Sequence, residues 1–192
     1  NDNWKFIKIE PGTTGYENSD SWVNVDIPHD WLIYDTNNLY EDSEGWYRKT
    51  FDLQTETGVR YALRFDGVYM EPVIYVNGAK AGEWKYGYNT FEIDITDYLV
   101  NGANEIRVQV MHRSPNSRWY SGAGIFRNIW FKTMPDTHFV SDGIYIRTER
   151  TDTGYMLKAS SEISGSEFDA VAYTVFDMNG TAVVSFRSSG YG

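Results

Sequence analysis

The residues best equipped for chemistry in this sequence lie together in Ser117-Arg118-Trp119-Tyr120-Ser121-Gly122-Ala123-Gly124-Ile125-Phe126-Arg127. A glycine-rich loop carries Arg118, Trp119 and Tyr120, and a strand is expected from Ile125 onward. Sugars present C–H patches that match an aromatic face, and hydroxyls that a planar guanidinium bonds in pairs. Arg118 and Trp119 supply both kinds of contact side by side, and loops on a rigid scaffold are where recognition concentrates. The same residues admit a structural reading, in which Trp119 seals the end of a core and Arg118 pairs with an acid such as Asp30. A second segment of interest is Pro28-His29-Asp30-Trp31. Pro28 ends the strand-like run Trp22–Ile27 because it cannot donate to a ladder. Asp30 turns the chain, accepts from an Arg, or edges a sugar pocket together with Trp31.

Other reactive constellations are missing. The three histidines, His29, His112 and His138, form no metal-type pair, and there is no GxSxG elbow, phosphate loop or dinucleotide fingerprint. Gly122-Ala123-Gly124 has no following helix. Glycosidase chemistry needs two carboxyls roughly 5–10 Å apart, and spacing along strands nominates no such pair. The acidic run Glu41-Asp42-Ser43-Glu44 reads as a solvated loop, with a calcium site as the alternative because hard cations prefer carboxylates. No catalytic residue, metal ligand or cofactor is therefore assigned to this chain.

Composition narrows the partners. The formal net charge is -10, from 17 Lys and Arg against 27 Asp and Glu, which disfavours phosphate backbones and anionic lipid while leaving neutral sugars unpenalised. The absence of Cys removes disulfides and thiolate chemistry. No apolar run approaches the ~18 residues of a membrane span. The 41% hydrophobic and 17% aromatic content supports a packed core. The opening Asn1-Asp2-Asn3-Trp4 carries no signal-peptide pattern, and Ser188-Ser189-Gly190-Tyr191-Gly192 reads as a cut rather than an end. The acidic, Cys-free composition is compatible with an exported bacterial protein, periplasmic or secreted; a homo-oligomer stays open as a partner.

Period-two alternation must position these residues. Tyr61, Leu63 and Phe65, then Phe91, Ile93 and Ile95, then Ile106, Val108 and Val110, alternate with polar neighbours, the signature of half-buried antiparallel strands. Trp46 and Tyr47, being adjacent, should point to opposite faces, with at least one in the core. Thr96 is placed to cap a single turn over Thr96-Asp97-Tyr98-Leu99. Asn77-Gly78 signals a tight hairpin, and Asn101-Gly102 and Asn179-Gly180 signal further turns. Near Met134-Pro135-Asp136-Thr137 the composition changes: Trp disappears, and strands restart at Ile144-Tyr145-Ile146. We expect two domains, residues 1–135 and 136–192. The second, with room for roughly four strands, falls short of the ~100 residues and seven strands of an immunoglobulin-like sandwich.

PHDW, GWYRKTF, VNG, GYNTFEIDITDYL and SRWYSGAGIFRNIWF, in this order, resemble the N-terminal sugar-binding domain of glycoside hydrolase family 2 over roughly residues 1–133. The tail is similar to the start of the family's immunoglobulin-like second domain. The resemblance implies an all-β chain: a jelly-roll, galactose-binding-like β-sandwich followed by a partial immunoglobulin-like β-sandwich. It also implies that the catalytic glutamates of a retaining mechanism belong to a TIM barrel absent from this chain, which alone should be inactive. The SRWY-type loop favours β-galactosidase-like members, and carries over Arg118, with Trp119 beside it, as substrate-binding; Asp30 matches within PHDW. The Asn that some members place before the GWYRKTF strand has no counterpart in Tyr40-Glu41-Asp42-Ser43-Glu44. The carbohydrate substrate, a β-linked glycoside, would be bound jointly with the barrel. A free-standing carbohydrate-binding module and a purely structural interaction domain are the competing readings. The beginning of a second sandwich argues against the free module.

Overall fold

Alternation along residues 102–112 becomes the central strand of the molecule. The computed structural model describes residues 1–33, 37–115, 122–165 and 168–189. Its strands are β1 (Trp4–Ile9), β2 (Val23–Val25), β3 (His29–Asp30), β4 (Ser43–Leu53), β5 (Val59–Phe65), β6 (Val73–Val76), β7 (Ala79–Glu83), β8 (Phe91–Asp94), β9 (Gly102–His112), β10 (Gly124–Ile125) and β11 (Ile129–Pro135), followed by β12 (His138–Thr151), β13 (Gly154–Ser164), β14 (Ala170–Phe176) and β15 (Ala182–Ser189). The chain divides into two compact units, Asn1–Thr133 and Met134–Gly192.

In the first unit, a six-stranded antiparallel sheet runs β2-β1-β4-β9-β6-β7, a three-stranded sheet runs β11-β5-β8, and β3 pairs with β10. Every second residue of β9 from Asn104 to His112 is buried. Its Ile106, Val108 and Val110 join Trp4, Phe6 and Tyr47 of the large sheet and Tyr61, Leu63, Phe65 and Phe91 of the small sheet in one core. Each such aliphatic or aromatic side chain contributes about 1.5–3 kcal/mol on burial. This is the all-β sandwich expected from the alternation.

The expected turn at Asn77-Gly78 joins β6 to β7, with φ of 51° and 82° at its two residues and Val76 opposite Ala79. Asn77 also ties this turn to β9. Its Oδ1 accepts from the amide of Glu105 (2.9 Å), and its Nδ2 donates to Asn104 Oδ1 (2.8 Å). Asn104 is 2% exposed and fully occupied, accepting also from Val100 N and donating to the carbonyls of Val100 and Gly102.

Two sequence expectations change. Thr96 begins a short 3-10 turn, Thr96–Tyr98, but makes no cap. Asp94 Oδ1 accepts from its amide instead (2.9 Å), and Thr96 Oγ1 accepts from Tyr61 N (2.9 Å), tying the turn to β5. The acidic run 41–44 is not a solvated loop throughout, because Ser43 and Glu44 open β4 and are buried. Trp46 and Tyr47 are both buried. Tyr47 enters the core, whereas Trp46 packs against Tyr16 and Tyr75 with ring centroids 5.2 Å and 5.7 Å away.

The second unit consists of two antiparallel hairpins, β12 with β13 and β14 with β15. Tyr173 Oη donates to Ser161 Oγ (2.8 Å), linking one hairpin to the other. The Asn179-Gly180 turn is organised by Asp177, whose Oδ1 accepts from the amides of Asn179 and Thr181.

Candidate functional site: the root of the 113–123 loop

The chain leaves β9 at His112 and returns at Gly124. Residues 116–121 lie outside the described residues, and with them Arg118 and Trp119; Asp30 lies within. What the structure describes is how both ends of this segment are held.

On the outgoing side, Met111 and Met70 exchange two backbone hydrogen bonds (2.9 and 3.0 Å). His112 is 2% exposed, and its Nδ1 lies 2.5 Å from the carbonyl oxygen of Glu41. Asp42 Oδ1 accepts from the amide of Ser114 (2.6 Å). The acidic run thus serves as an anchor for the loop. Its carboxylates are spread over different partners: Glu41 takes Lys8 Nζ (2.8 Å), and Glu44 takes Trp46 Nε1 (2.6 Å) and Gln109 Nε2 (2.7 Å). Among the described residues no group of three or more His, Asp or Glu is gathered that could hold a metal ion.

On the returning side, Asp30 Oδ1 accepts from three amides: Leu32 (2.9 Å), Ile33 (3.3 Å) and, from the far end of the loop, Ala123 (3.1 Å). The first two make Asp30 the corner at which the chain turns. The third clamps the loop, helped by Trp31 N donating to Ala123 O (2.9 Å) and by the β3–β10 pairing of Asp30 with Gly124 and His29 with Ile125. Tyr69 closes the other edge, exchanging two backbone bonds with Gly124 (both 2.9 Å).

Beneath Gly124 sits the Tyr47 hydroxyl. A Cβ at position 124 would lie 2.3 Å from His29 O and 2.7 Å from Tyr47 Oη, and the backbone there has φ +138°. Glycine is therefore required on both steric and conformational grounds. His29 Nδ1 is 2.8 Å from Tyr47 Oη, which also lies 3.4 Å from the amide of Ile125. Burial lowers the pKa of His29, and the nearby Asp30 charge opposes that only in part. With the imidazole neutral, Nδ1 and the hydroxyl share one hydrogen bond whose direction follows the histidine tautomer, while the hydroxyl oxygen accepts from Ile125 and lies 3.4 Å from the His29 carbonyl oxygen. Burial likewise pushes the Tyr47 phenol well above its ordinary value, so it stays protonated as this arrangement requires. PHDW also meets GWYRKTF directly: a Cβ on Gly45 would lie 2.5 Å from the Trp31 ring, whose Nε1 donates to Ser43 Oγ (3.0 Å).

Three motifs far apart in sequence therefore meet at one place: PHDW at β3, GWYRKTF at β4, and the AGIF stretch at β10. The family model described as "Glycosyl hydrolases family 2, sugar binding domain" matches residues 10–135. The chain belongs to glycoside hydrolase family 2. It is 33% identical to beta-galactosidase BoGH2A of Bacteroides ovatus over 99% of this chain and 25% of that protein. It is 32% identical to a putative beta-glucuronidase of Formosa agariphila over 91% of this chain and 18% of that protein. The crystal structure of a glycosyl hydrolase family 2 member from Bacteroides cellulosilyticus superimposes with a TM-score of 0.79 and 29% identity, covering 97% of this chain and 28% of that one. The chain thus spans only 18–28% of these family 2 proteins.

Sequence reasoning singled out Asp30 but missed Asp42, Tyr47 and Tyr69 as supports of the loop. Asp42 was visible only as part of an acidic run, and Tyr47 only as half of an aromatic pair. Neither signal says which backbone amide or ring a side chain reaches.

Proposed function

We propose that this chain is the N-terminal, non-catalytic part of a retaining β-glycosidase of the β-galactosidase-like kind, which hydrolyses O-glycosidic bonds. In this reading the 113–123 loop forms one wall of the substrate site. Arg118 and Trp119 meet the sugar, Asp30 sets the loop's return, and the catalytic floor belongs to a barrel outside this chain. Residues 1–135 are the sugar-binding jelly roll, and residues 136–192 begin an immunoglobulin-like sandwich. The single observation that carries the reading is the double anchoring of the loop. Asp42 at one end and Asp30 at the other hold backbone amides, the kind of support that keeps a recognition loop in a fixed geometry. The match to relatives several times longer favours a part of an enzyme over a free-standing module.

The test is kinetic and uses the full-length enzyme. Arg118→Ala should lower kcat/KM for a β-galactoside by roughly 10-fold or more, equivalent to about 1.4 kcal/mol, with an unchanged melting temperature. Unaltered kinetics would assign Arg118 to structure instead. The isolated chain should bind galactose weakly or not at all, because one wall offers too few contacts to offset the ordering cost. A micromolar constant by titration calorimetry would favour the module.

A further inference from the structure

The geometry points to a second carbohydrate contact in this chain: a groove on the outer face of the six-stranded sheet, beside the take-off of the 113–123 loop, that takes a neutral sugar unit beyond the terminal one. The inference rests on the reading of that loop as a substrate wall and extends it along the substrate.

The groove has a volume of about 380 Å³, within the ~300–1,000 Å³ typical of small-ligand sites. Ile106, Val108 and Val110 of β9 enter the core, so the intervening Gln109 and Met111 face away from it. Gln109 lies at the groove together with Glu71, Glu83, Trp84, Lys85 and Arg113. The placement follows from the pairing already described. Met70 and Met111 exchange backbone bonds, which brings Glu71 and Arg113 together where the loop begins. Arg113 Nε lies 3.5 Å from Glu71 Oε2.

The aromatic side is rigid. One face of Trp84 stacks on Phe91 (centroids 5.5 Å apart, planes at 8°), itself a core residue, and its Nε1 donates to Asn89 Oδ1 (2.8 Å). Trp84 as a whole nevertheless remains 36% exposed. A ring held this way loses little freedom when a ligand packs on it. The polar floor is equally fixed. Glu44, 5% exposed, holds the Gln109 amide at 2.7 Å while accepting from Trp46 Nε1. A fixed indole beside planar amide, carboxylate and guanidinium groups matches the two surfaces of a pyranose, its C–H face and its ring of hydroxyls. Charge selects further. Three carboxylates (Glu44, Glu71, Glu83) against two cations (Lys85, Arg113) disfavour a uronate relative to a neutral sugar.

The experiment titrates the isotope-labelled 192-residue chain with galactobiose, followed by NMR at the Trp84 indole and the Gln109 side-chain amide. Shifts at both with a Kd of about 1–10 mM are expected. Trp84→Ala should weaken binding by about 10-fold or more, and the milder Glu71→Ala, at a half-buried site, by about 3-fold. Arg118→Ala should leave these shifts in place. No shifts at either reporter, shifts indifferent to both groove variants, or tighter binding of digalacturonate than of galactobiose would each overturn the groove. Shifts confined to residues 116–121 and abolished by Arg118→Ala would also overturn it, while leaving the loop reading intact.

Discussion

The carboxylate of Asp30 lies 3.1 Å from the amide of Ala123, 93 residues further along the chain, and the same Oδ1 takes the amides of Leu32 and Ile33. One oxygen therefore fixes both the corner after β3 and the return of the 113–123 loop. Removing it should be felt at both. Asp30→Ala should destabilise the chain by about 1–3 kcal/mol, the desolvation cost of amides left unpaired. Asp30→Asn, which keeps an acceptor oxygen, should cost clearly less. Urea titration of both variants decides, and equal losses would show that the charge rather than the acceptor matters.

Gly124 offers a sharper contrast with another glycine of the same chain. Gly124→Ala places a methyl 2.3 Å from the backbone carbonyl of His29, at φ +138°, and should cost on the order of 3 kcal/mol or more by combining a clash with a strained backbone. Gly180→Ala, at φ +82° in open space, should cost only the left-handed penalty of about 1–2 kcal/mol. Thermal unfolding of the pair separates steric from conformational demand.

The His29–Tyr47 contact predicts a pH dependence. His29 has its pKa depressed below the ordinary 6.5, chiefly by burial, so the unfolded chain takes up its proton first as pH falls. The stability from keeping this imidazole neutral is present above about pH 6.5 and declines as pH drops through the window toward the folded value. Melting temperature measured from about pH 7 to about pH 5 should fall less steeply in His29→Gln than in the parent chain. Tyr47→Phe should destabilise by about 1–2 kcal/mol through the lost hydroxyl contacts. A pH slope unchanged in His29→Gln would assign it to other groups.

Asn104 tests the scaffold away from the loop. Its side chain makes four hydrogen bonds at 2% exposure. Asn104→Ala should cost about 2–3 kcal/mol by leaving buried partners unmet. Hydrogen exchange at the Asn77 turn, which shares the network, should accelerate in the same variant; a turn that stays protected would show it to be independent of Asn104.

Much of this architecture was legible in the residues alone. Side-chain alternation has the same period as the strand, so Ile106, Val108 and Val110 announced a buried face before any partner was known. The hairpin at Asn77-Gly78 was legible for a similar reason, since its two neighbouring residues both tolerate positive φ. The ordered set of five motifs identified the family, and Asp30 stood out as a residue with something to hold. What it holds was decided only by the fold. Its partner Ala123 is brought to it by the β3–β10 pairing, and Asp42, Tyr47, Tyr69 and Glu44 acquired their roles the same way. Local preference acts over a few neighbouring residues. A hydrogen bond across 93 positions exists only once two sheets have closed on a common core and brought the remote amide to within 3.1 Å.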